Sequence, residues 1–452
     1  MKTFTIKQGV DLPLKGLPQQ QIRQGAAVRH VALVGDDYLG LKPTMLVKEG
    51  EQVKLGQPVF VDKKNPGFQF TAPGSGTVKA IHRGAKRKFE SLVISLEGEE
   101  AVSFAQATEV PVEQQEAEVI RGLLQESGLW TALRTRPFGR IPAAESVPSS
   151  LFITAMDTNP LAADPAIIIA ADKACFELGL RVLQKMLEVP LHLCVSPNAT
   201  DVAATDVAGV TTWAFDGPHP AGLPSTHIHF IDPVHAQKQV WHIDCQDVIR
   251  IGYLFTHGCL STNTVVAFSG EGFTAPALVQ THLGASLEEI CSDERVAADG
   301  YRLLSGGVLD GRAVGEFTGY LGRYHRQVST LREGSGRSLF GWLSPGKDRF
   351  TATGLFLSAF AKQKSRFSFL TAVWGGHRAI YPLSVYEKVM PLDIIPLPLL
   401  KSLAVGDAEK AAELGCLELV EEDLALCSFV CPGKNEFGPM LRAVLGTLEQ
   451  EG

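Results

Sequence analysis

Three groups of residues have types and spacing suited to chemistry. The first is the stretch 129–142, LWTALRTRPFGRIP, which sets Arg134, Arg136 and Arg140 beside Phe138. Guanidinium groups between a helix and a strand suit an anionic ligand or a polar partner surface, and α/β folds place ligands at the ends of their sheets. A solvated, well-packed connection explains the same residues without a ligand. The second group is histidine: His219, His227, His229, His235, His242 and His257 crowd one segment. If 228–231 is a strand, His227 and His229 share a face and could hold a metal. No acidic or cysteine ligand stands beside them at a recognisable spacing, so histidines satisfied by hydrogen bonds are the expectation.

The third group is the pair Cys427 and Cys431-Pro432 in the tail. An iron–sulfur run reads C-x2-C-x2-C-x3-C-P. With its last two thiolates in register, its first two positions fall on Glu421 and Leu424. Cys416 is at the wrong spacing to replace either. Two thiolates cannot hold a cubane, so the pair reads as a degenerate remnant and no metal site is expected.

These residues need elements to position them. Val119, Ile120, Leu123 and Leu124 recur at helical spacing, and Gly128 supplies the stop. Strands are expected at 151–155, 191–195, 210–215 and 228–231, with a helix from about 164 to 188 carrying Ile168, Cys175, Leu178, Val182 and Met186 on its inner face. That alternation predicts a parallel, helix-covered sheet over 101–255. No G-x-G-x-x-G follows a strand, and no G-x-x-x-x-G-K-[ST] loop is present. Residues 256–330 read as a small β-grasp-like module, with strands near 265–268 and 277–281 and a short helix capped by Ser286. Beyond it, Tyr320, Tyr324, Phe340 and Trp342 stand beside Arg323, Arg326, Arg332 and Arg337, a composition shared by interfaces and by loops with cation–π packing. Residues 388–400 (KVMPLDIIPLPLL) offer a Pro-rich apolar surface. The tail is helical, with Asp407 capping 408–414 and a last helix carrying Phe437, Met440, Leu441, Val444, Leu445 and Leu448.

Composition bounds the function. At 452 residues the chain is too long for one core. A net charge of −7 argues against nucleic acid, and the basic run 79–88 (KAIHRGAKRK) reads as a solvated hairpin. Eight scattered cysteines fit reduced thiols in a cytoplasmic compartment. No stretch approaches the roughly 20 apolar residues of a membrane span, so membrane contact must run through a partner or a shallow surface.

Two resemblances sharpen this reading. Residues 46–81 resemble the lipoyl/biotinyl-carrier barrel through Val47, Glu49, Gly50, Val53, Gly56, Asp62, Lys63, Ala72, Pro73, Gly76 and Val78. The likeness puts Lys63 where a carrier bears its arm, although Lys64 follows it where carriers have a small or apolar residue. Flavin subunits of respiratory complex I and of the Rnf complex carry a G-x-G-G-A-G-F-P-T cradle and then N-G-x-E-x-E-P. Here the first position reads 133–142, keeping Phe138 and losing most glycines, and the second reads 154–160, keeping Asp157 and Pro160. Arginines where backbone should approach a phosphate would obstruct a flavin.

Over its whole length the chain is similar to the NqrA family, one of the subunit families of bacterial Na+-translocating NADH:quinone oxidoreductases, through the blocks 246–258, 320–329, 339–346 and 414–438. The resemblance implies a lipoyl/biotinyl-like β barrel-sandwich (29–100) after an N-terminal arm (1–28). A Rossmann-like α/β domain (101–255), an SLBB-like β-grasp domain (256–330) and a C-terminal domain with a helical bundle (331–452) would follow. It implies a peripheral protein on the cytoplasmic side of the bacterial inner membrane, docked on the other members of a six-subunit complex, the membrane-embedded NqrB above all. Ubiquinone would be the substrate of the complex, and NADH, FAD, FMN and iron–sulfur centres would belong to other subunits. The chain itself would have no catalytic residue and no bound cofactor. A quinone headgroup would be met by Trp130, Arg134, Phe138 and Arg140, lining the emptied cradle. The alternatives are a pure assembly scaffold without a quinone site and a carrier acylated at Lys63.

Overall fold

The computed structural model describes residues 1–294, 300–334, 345–352, 354, 356–360 and 366–451. The expected architecture is present: a β barrel-sandwich, an α/β layer, a second mixed sheet and a helical tail.

The α/β sheet runs in the order Lys2–Thr5, Val210–Asp216, Leu191–Val195, Leu151–Ala155, Val240–Asp244, Arg134–Arg136. Neighbours are parallel except for Arg134–Arg136, which lies antiparallel at the edge. Leu151, Ile153, Leu191 and Leu193 are fully buried, as near-continuous apolar strands of a two-sided sheet must be. Two sequence expectations are corrected here. Residues 228–231 belong to the helix Pro224–Ile231. Pro224 opens that helix at its first turn, and inward-facing Thr226, His227 and Ile228 outweigh the β propensity of the apolar residues. The strand that fills the place is Val240–Asp244 (VWHID). The expected single helix over 164–188 is two, Pro165–Ala171 and Lys173–Leu187, because the carboxylate of Asp172 turns to accept the amide of Cys175 and starts a new helix.

Lys173–Leu187 crosses Cys245–His257 backbone to backbone, through Gly179 and Gly252. A Cβ added at Gly252 would stand 1.8 Å from the Cys175 carbonyl oxygen, and one at Gly179 would stand 2.1 Å from that of Val248. Gly252→Val is expected to cost about 3 kcal/mol by overpacking, read as a fall in the urea midpoint. An unchanged midpoint would refute the tight crossing.

The barrel-sandwich pairs a four-stranded sheet (His30–Val34, Phe89–Leu96, Gly76–Arg83, Gln52–Val53) with a three-stranded one (Pro43–Met45, Pro58–Asp62, Gln69–Thr71). The basic run 79–88 spans the end of the strand Gly76–Arg83 and the turn that leads into its antiparallel partner Phe89–Leu96, as expected of a hairpin. Its core is continuous with that of the α/β layer through the helix Ala117–Glu126 and the turn Leu129–Ala132. Gly128, at φ +79°, reverses the chain between those two elements.

The third sheet orders Arg312–Ala313, Tyr301–Ser305, Gln327–Arg332, Asn263–Ser269, Ala277–His282 and Gln19–Gln24. The N-terminal arm therefore supplies one strand to this sheet and one to the α/β sheet, a stitch that local patterning did not reveal. Ser286 stands at the start of Leu287–Ile290, but its hydroxyl makes no capping bond.

Asp407 does cap its helix, accepting the amide of Lys410 at 3.0 Å. The segment 388–400 is not an apolar surface: Val389, Met390, Leu392, Leu399 and Leu400 are buried among the tail helices, and Pro396 begins the helix Pro396–Val405. Arg337, Phe340, Trp342 and most of block 339–346 lie outside the described residues.

Candidate functional site

The chain lays Leu191–Val195 on one side of Leu151–Ala155 and, later, Val240–Asp244 on the other. The winding therefore reverses at Leu151–Ala155, and the carboxyl ends of the two flanking strands part there to leave a crevice. A cavity of about 150 Å³ occupies that place. Its walls come from each part of the fold except the barrel: Asp157 after one strand, Asp244 and Asp247 after the other, Asp310 and His325 from the third sheet, and Glu422 from the tail.

The charges in these walls are unevenly satisfied. Asp244 ends its strand and caps the next helix through the amide of Gln246, at 2.9 Å. Arg326 donates to Asp244 at 2.8 Å and to Asp247 at 2.7 Å, while Arg323 and Arg250 reach Asp247 at 2.9 and 2.7 Å. Burial raises the Asp247 carboxyl, but Arg323, Arg250 and Arg326 outweigh it and hold Asp247 well below the usual range. Asp157 lacks such company. Burial, joined by the charge of Asp310, pushes its carboxyl up to about 7 against the amide of Asn159, which donates at 2.7 Å. Asp310 is pushed up to about 6 by burial and then by Glu422. Burial lowers His325 to about 4, and burial with Arg136 holds His242 neutral. Near neutral pH the cavity thus presents carboxyl groups able to keep or give up a proton.

The four residues expected to meet a quinone do not converge. Trp130 is fully buried, its indole nitrogen donating to the Pro142 carbonyl at 3.0 Å and its ring perpendicular to Trp241 at 5.5 Å. It is a core residue. Phe138, at φ +76°, packs on the tail cluster, and its carbonyl accepts from Arg442 at 2.8 Å. Arg140 forms a two-pronged ion pair with Glu449, donates to the Leu39 carbonyl at 2.6 Å and lines a different cavity of about 310 Å³. Only Arg134 lines the crevice at the switch point; its guanidinium lies 4.6 Å from the centre of the Tyr324 ring and donates to the Gly139 carbonyl at 3.1 Å. Arg136 is buried outright and spans from Ser225 (3.0 Å) and His242 (2.8 Å) to Glu422 (3.1 Å). The arginines of 129–142 mainly clamp the α/β layer to the tail.

The passage around Tyr324 resolves the same way. Its hydroxyl donates to the Thr131 carbonyl at 2.8 Å and its ring receives Arg134 and Arg323, so cation–π packing accounts for it. Asp244, Asp247, Asp310 and Glu422 escaped sequence reasoning. A faint signal existed for Asp310, an aspartate beside Gly311 in a turn-rich passage, and none for Glu422, which tertiary folding alone brings here.

The residues present do not fit a flavin or a cluster. Arg326 is spent on Asp244 and Asp247, so the acidic lining would repel a flavin phosphate. Cys427 and Cys431 are fully buried among tail helices; burial raises Cys427 to about 12, and Cys431 accepts from the Tyr386 hydroxyl at 3.2 Å. Among the described residues no cluster of three or more His, Cys, Asp and Glu could hold a metal. His227, on its helix, bonds the Ala221 carbonyl at 3.1 Å, and His229 sits between Glu418 (2.8 Å) and the Asp393 amide (2.9 Å). That disposes of the strand-face pair.

Comparison with known proteins gives this arrangement its relatives. Residues 4–97 match the NqrA N-terminal barrel-sandwich hybrid domain, 115–260 the NqrA second alpha/beta domain and 265–316 the NQRA C-terminal (SLBB) domain. The corresponding Na(+)-translocating NADH-quinone reductase subunit from Histophilus somni (strain 2336) is 52% identical over 450 residues, covering 99% of this chain and 100% of that protein. Its counterpart in Neisseria gonorrhoeae (strain NCCP11945) is 52% identical over 447 residues, covering 99% of each, and that of Pasteurella multocida (strain Pm70) is 51% identical over 450, covering 99% and 100%. A solved NAD+-reducing NiFe hydrogenase in the air-oxidized state shows a distant likeness, 12% identical over 50% of this chain and 51% of that one, with a TM-score of 0.34. Similar to those reductase subunits from end to end, with three matched domains in their order, the chain belongs to the NqrA family of Na(+)-translocating NADH-quinone reductase subunits.

Proposed function

We propose that this protein offers the switch-point crevice to a quinone headgroup and holds no flavin or cluster of its own. The observation that carries the reading is the pair Asp157 and Asp310, whose carboxyls titrate at about 7 and about 6 inside a cavity of about 150 Å³. Turning a quinone into a quinol takes two electrons and two protons. A carboxyl kept protonated near neutral pH can donate a hydrogen bond to a quinone carbonyl and then its proton. Arg134, held against Tyr324, adds a cation that favours the developing negative charge. The electrons come from other subunits, where NADH, the flavins and iron–sulfur centres reside. The chain docks from the cytoplasmic side onto the membrane part of the complex, NqrB foremost.

The test uses the assembled complex. Asp157→Asn with Asp310→Asn is expected to lower quinone reduction by about 10²-fold or more while electron transfer from NADH to an artificial acceptor persists. In the parent, quinone affinity is expected to fall as pH rises through about 7. The same shift has a sign for stability. A carboxyl raised from 3.8 to about 7 holds an extra proton in the fold, so its contribution is complete below 3.8 and is lost as pH rises through about 7. Undiminished quinol output from the double variant would sink the reading. Intact assembly with that result would reduce the protein to a scaffold.

A further inference from the structure

We propose that residues 357–360 and 366–383 form a face that rests on anionic phospholipid headgroups. Of the seventeen large apolar side chains exposed among the described residues, seven lie here: Leu357, Phe360, Leu370, Val373, Trp374, Tyr381 and Leu383. Phe360 is 80% exposed, Val373 63% and Trp374 51%. The other exposed apolar side chains are spread along the rest of the chain; a concentration of this kind marks an interaction surface.

The two segments adjoin. The Ser358 hydroxyl donates to the Arg349 carbonyl, and the Arg349 guanidinium lies 4.6 Å from the centre of the Trp374 ring. The backbone is tied down to the body of the protein, Thr371 donating to the Arg332 carbonyl at 3.0 Å and Arg378 to that of Gly433 at 2.8 Å. The exposed side chains are therefore presented by a fixed support.

Charge decides what covers them. The described residues of 349–386 include no Asp or Glu, yet carry Arg349, Arg366 and Arg378, in a chain whose net charge is −7. The carboxylates that reach the face from the body, Glu271 and Glu333, accept from Ser368 and Thr371 and are themselves paired with Lys15 and Arg302. The rim of a protein–protein interface is polar and draws on both signs of charge. A surface of cations, Trp and Tyr suits the headgroup level of an anionic leaflet instead. No helix among the described residues is long and apolar enough to cross a membrane. Apart from the turn Leu357–Phe360 the face has no helix or strand, and irregular backbone does not enter hydrocarbon. Contact at headgroup depth satisfies both facts. The inference is independent of the quinone reading.

The experiment sediments the purified full-length chain with vesicles of phosphatidylcholine alone, or of phosphatidylcholine and phosphatidylglycerol in equal parts. Binding is expected only to the mixed vesicles and should weaken as salt is raised. Acyl chains brominated near the headgroup should quench tryptophan fluorescence in the parent and much less in Trp374→Ser. Phe360→Ser with Trp374→Ser is expected to lower partitioning about tenfold or more, and Arg378→Gln about fivefold. These side chains are exposed, so the thermal midpoint should stay put and report that the variants fold. A parent chain that ignores anionic vesicles, or variants that bind as the parent does, would overturn the proposal. So would loss of the membrane subunits from the apolar variant's complex with vesicle binding unaltered, which would assign the face to a protein partner.

Discussion

Asp247→Ala is expected to cost about 3–5 kcal/mol of folding stability, seen as a large drop in the urea midpoint followed by circular dichroism. Asp247 is 1% exposed and pairs with Arg250, Arg323 and Arg326. Arg250 sits on the same helix, whereas Arg323 and Arg326 arrive from the loop before the strand Gln327–Arg332. One carboxylate thus compensates three guanidinium groups and joins the α/β layer to the third sheet. Removing it leaves Arg250 and Arg323 buried without a carboxylate, while Arg326 keeps Asp244, and that is far costlier than losing an exposed pair. Burial already lowers Arg250 to about 10, a sign of how little solvent compensates it. Asp247→Asn keeps the shape and should lose most of the same stability, so charge and packing can be told apart. The pH dependence runs opposite to that of Asp157. Because its folded carboxyl lies below the usual range, Asp247 contributes fully above the unfolded value and loses that contribution as acid drives pH through the folded one. A midpoint unmoved in Asp247→Ala would show that the cluster is not what joins the two layers.

Arg136→Met is expected to cost about 3 kcal/mol and to loosen the tail from the α/β sheet. Arg136 is wholly buried at the sheet's edge, and its three nitrogens go to Ser225, His242 and Glu422. Ser225 in turn donates to Asp423 at 2.7 Å, so the network crosses from the sheet to residues more than 280 positions away. Methionine fills much of the volume but satisfies none of these partners. Hydrogen exchange should report the change locally, with faster exchange along Phe437–Glu451 and little change along Leu151–Ala155. Uniform exchange across both would mean that the arginine does not hold the tail.

Much of the fold was legible in the sequence because local rules sufficed. Apolar runs at 151–155 and 191–195 could only be buried strands, glycine and proline spacing marked the barrel, and Asp407 announced its helix. Where local preference met a tertiary demand, it gave way. The apolar run at 228–231 is helical because the slot beside Leu151–Ala155 goes to Val240–Asp244. The N-terminal arm is split between two sheets because each had an edge with unsatisfied amides and carbonyls to pair.

The site was less legible. Asp157 stood out as the survivor of an acidic passage, and the missing glycines and missing thiolates spoke against a phosphate cradle and a cluster. Residue type alone, however, could not say whether an arginine faces a ligand or a carboxylate of its own chain. Trp130 went to the core and Arg140 to Glu449 because a buried indole or guanidinium takes the nearest partner that folding supplies. The sequence by itself determined the family and the order of the matched domains, since these rest on pattern along the chain. Only the tertiary structure decided which charges share a cavity. Whether a carboxyl is held ionised, like Asp247, or pushed toward neutrality, like Asp157, depends on groups from separate elements of the chain meeting in one low-dielectric place.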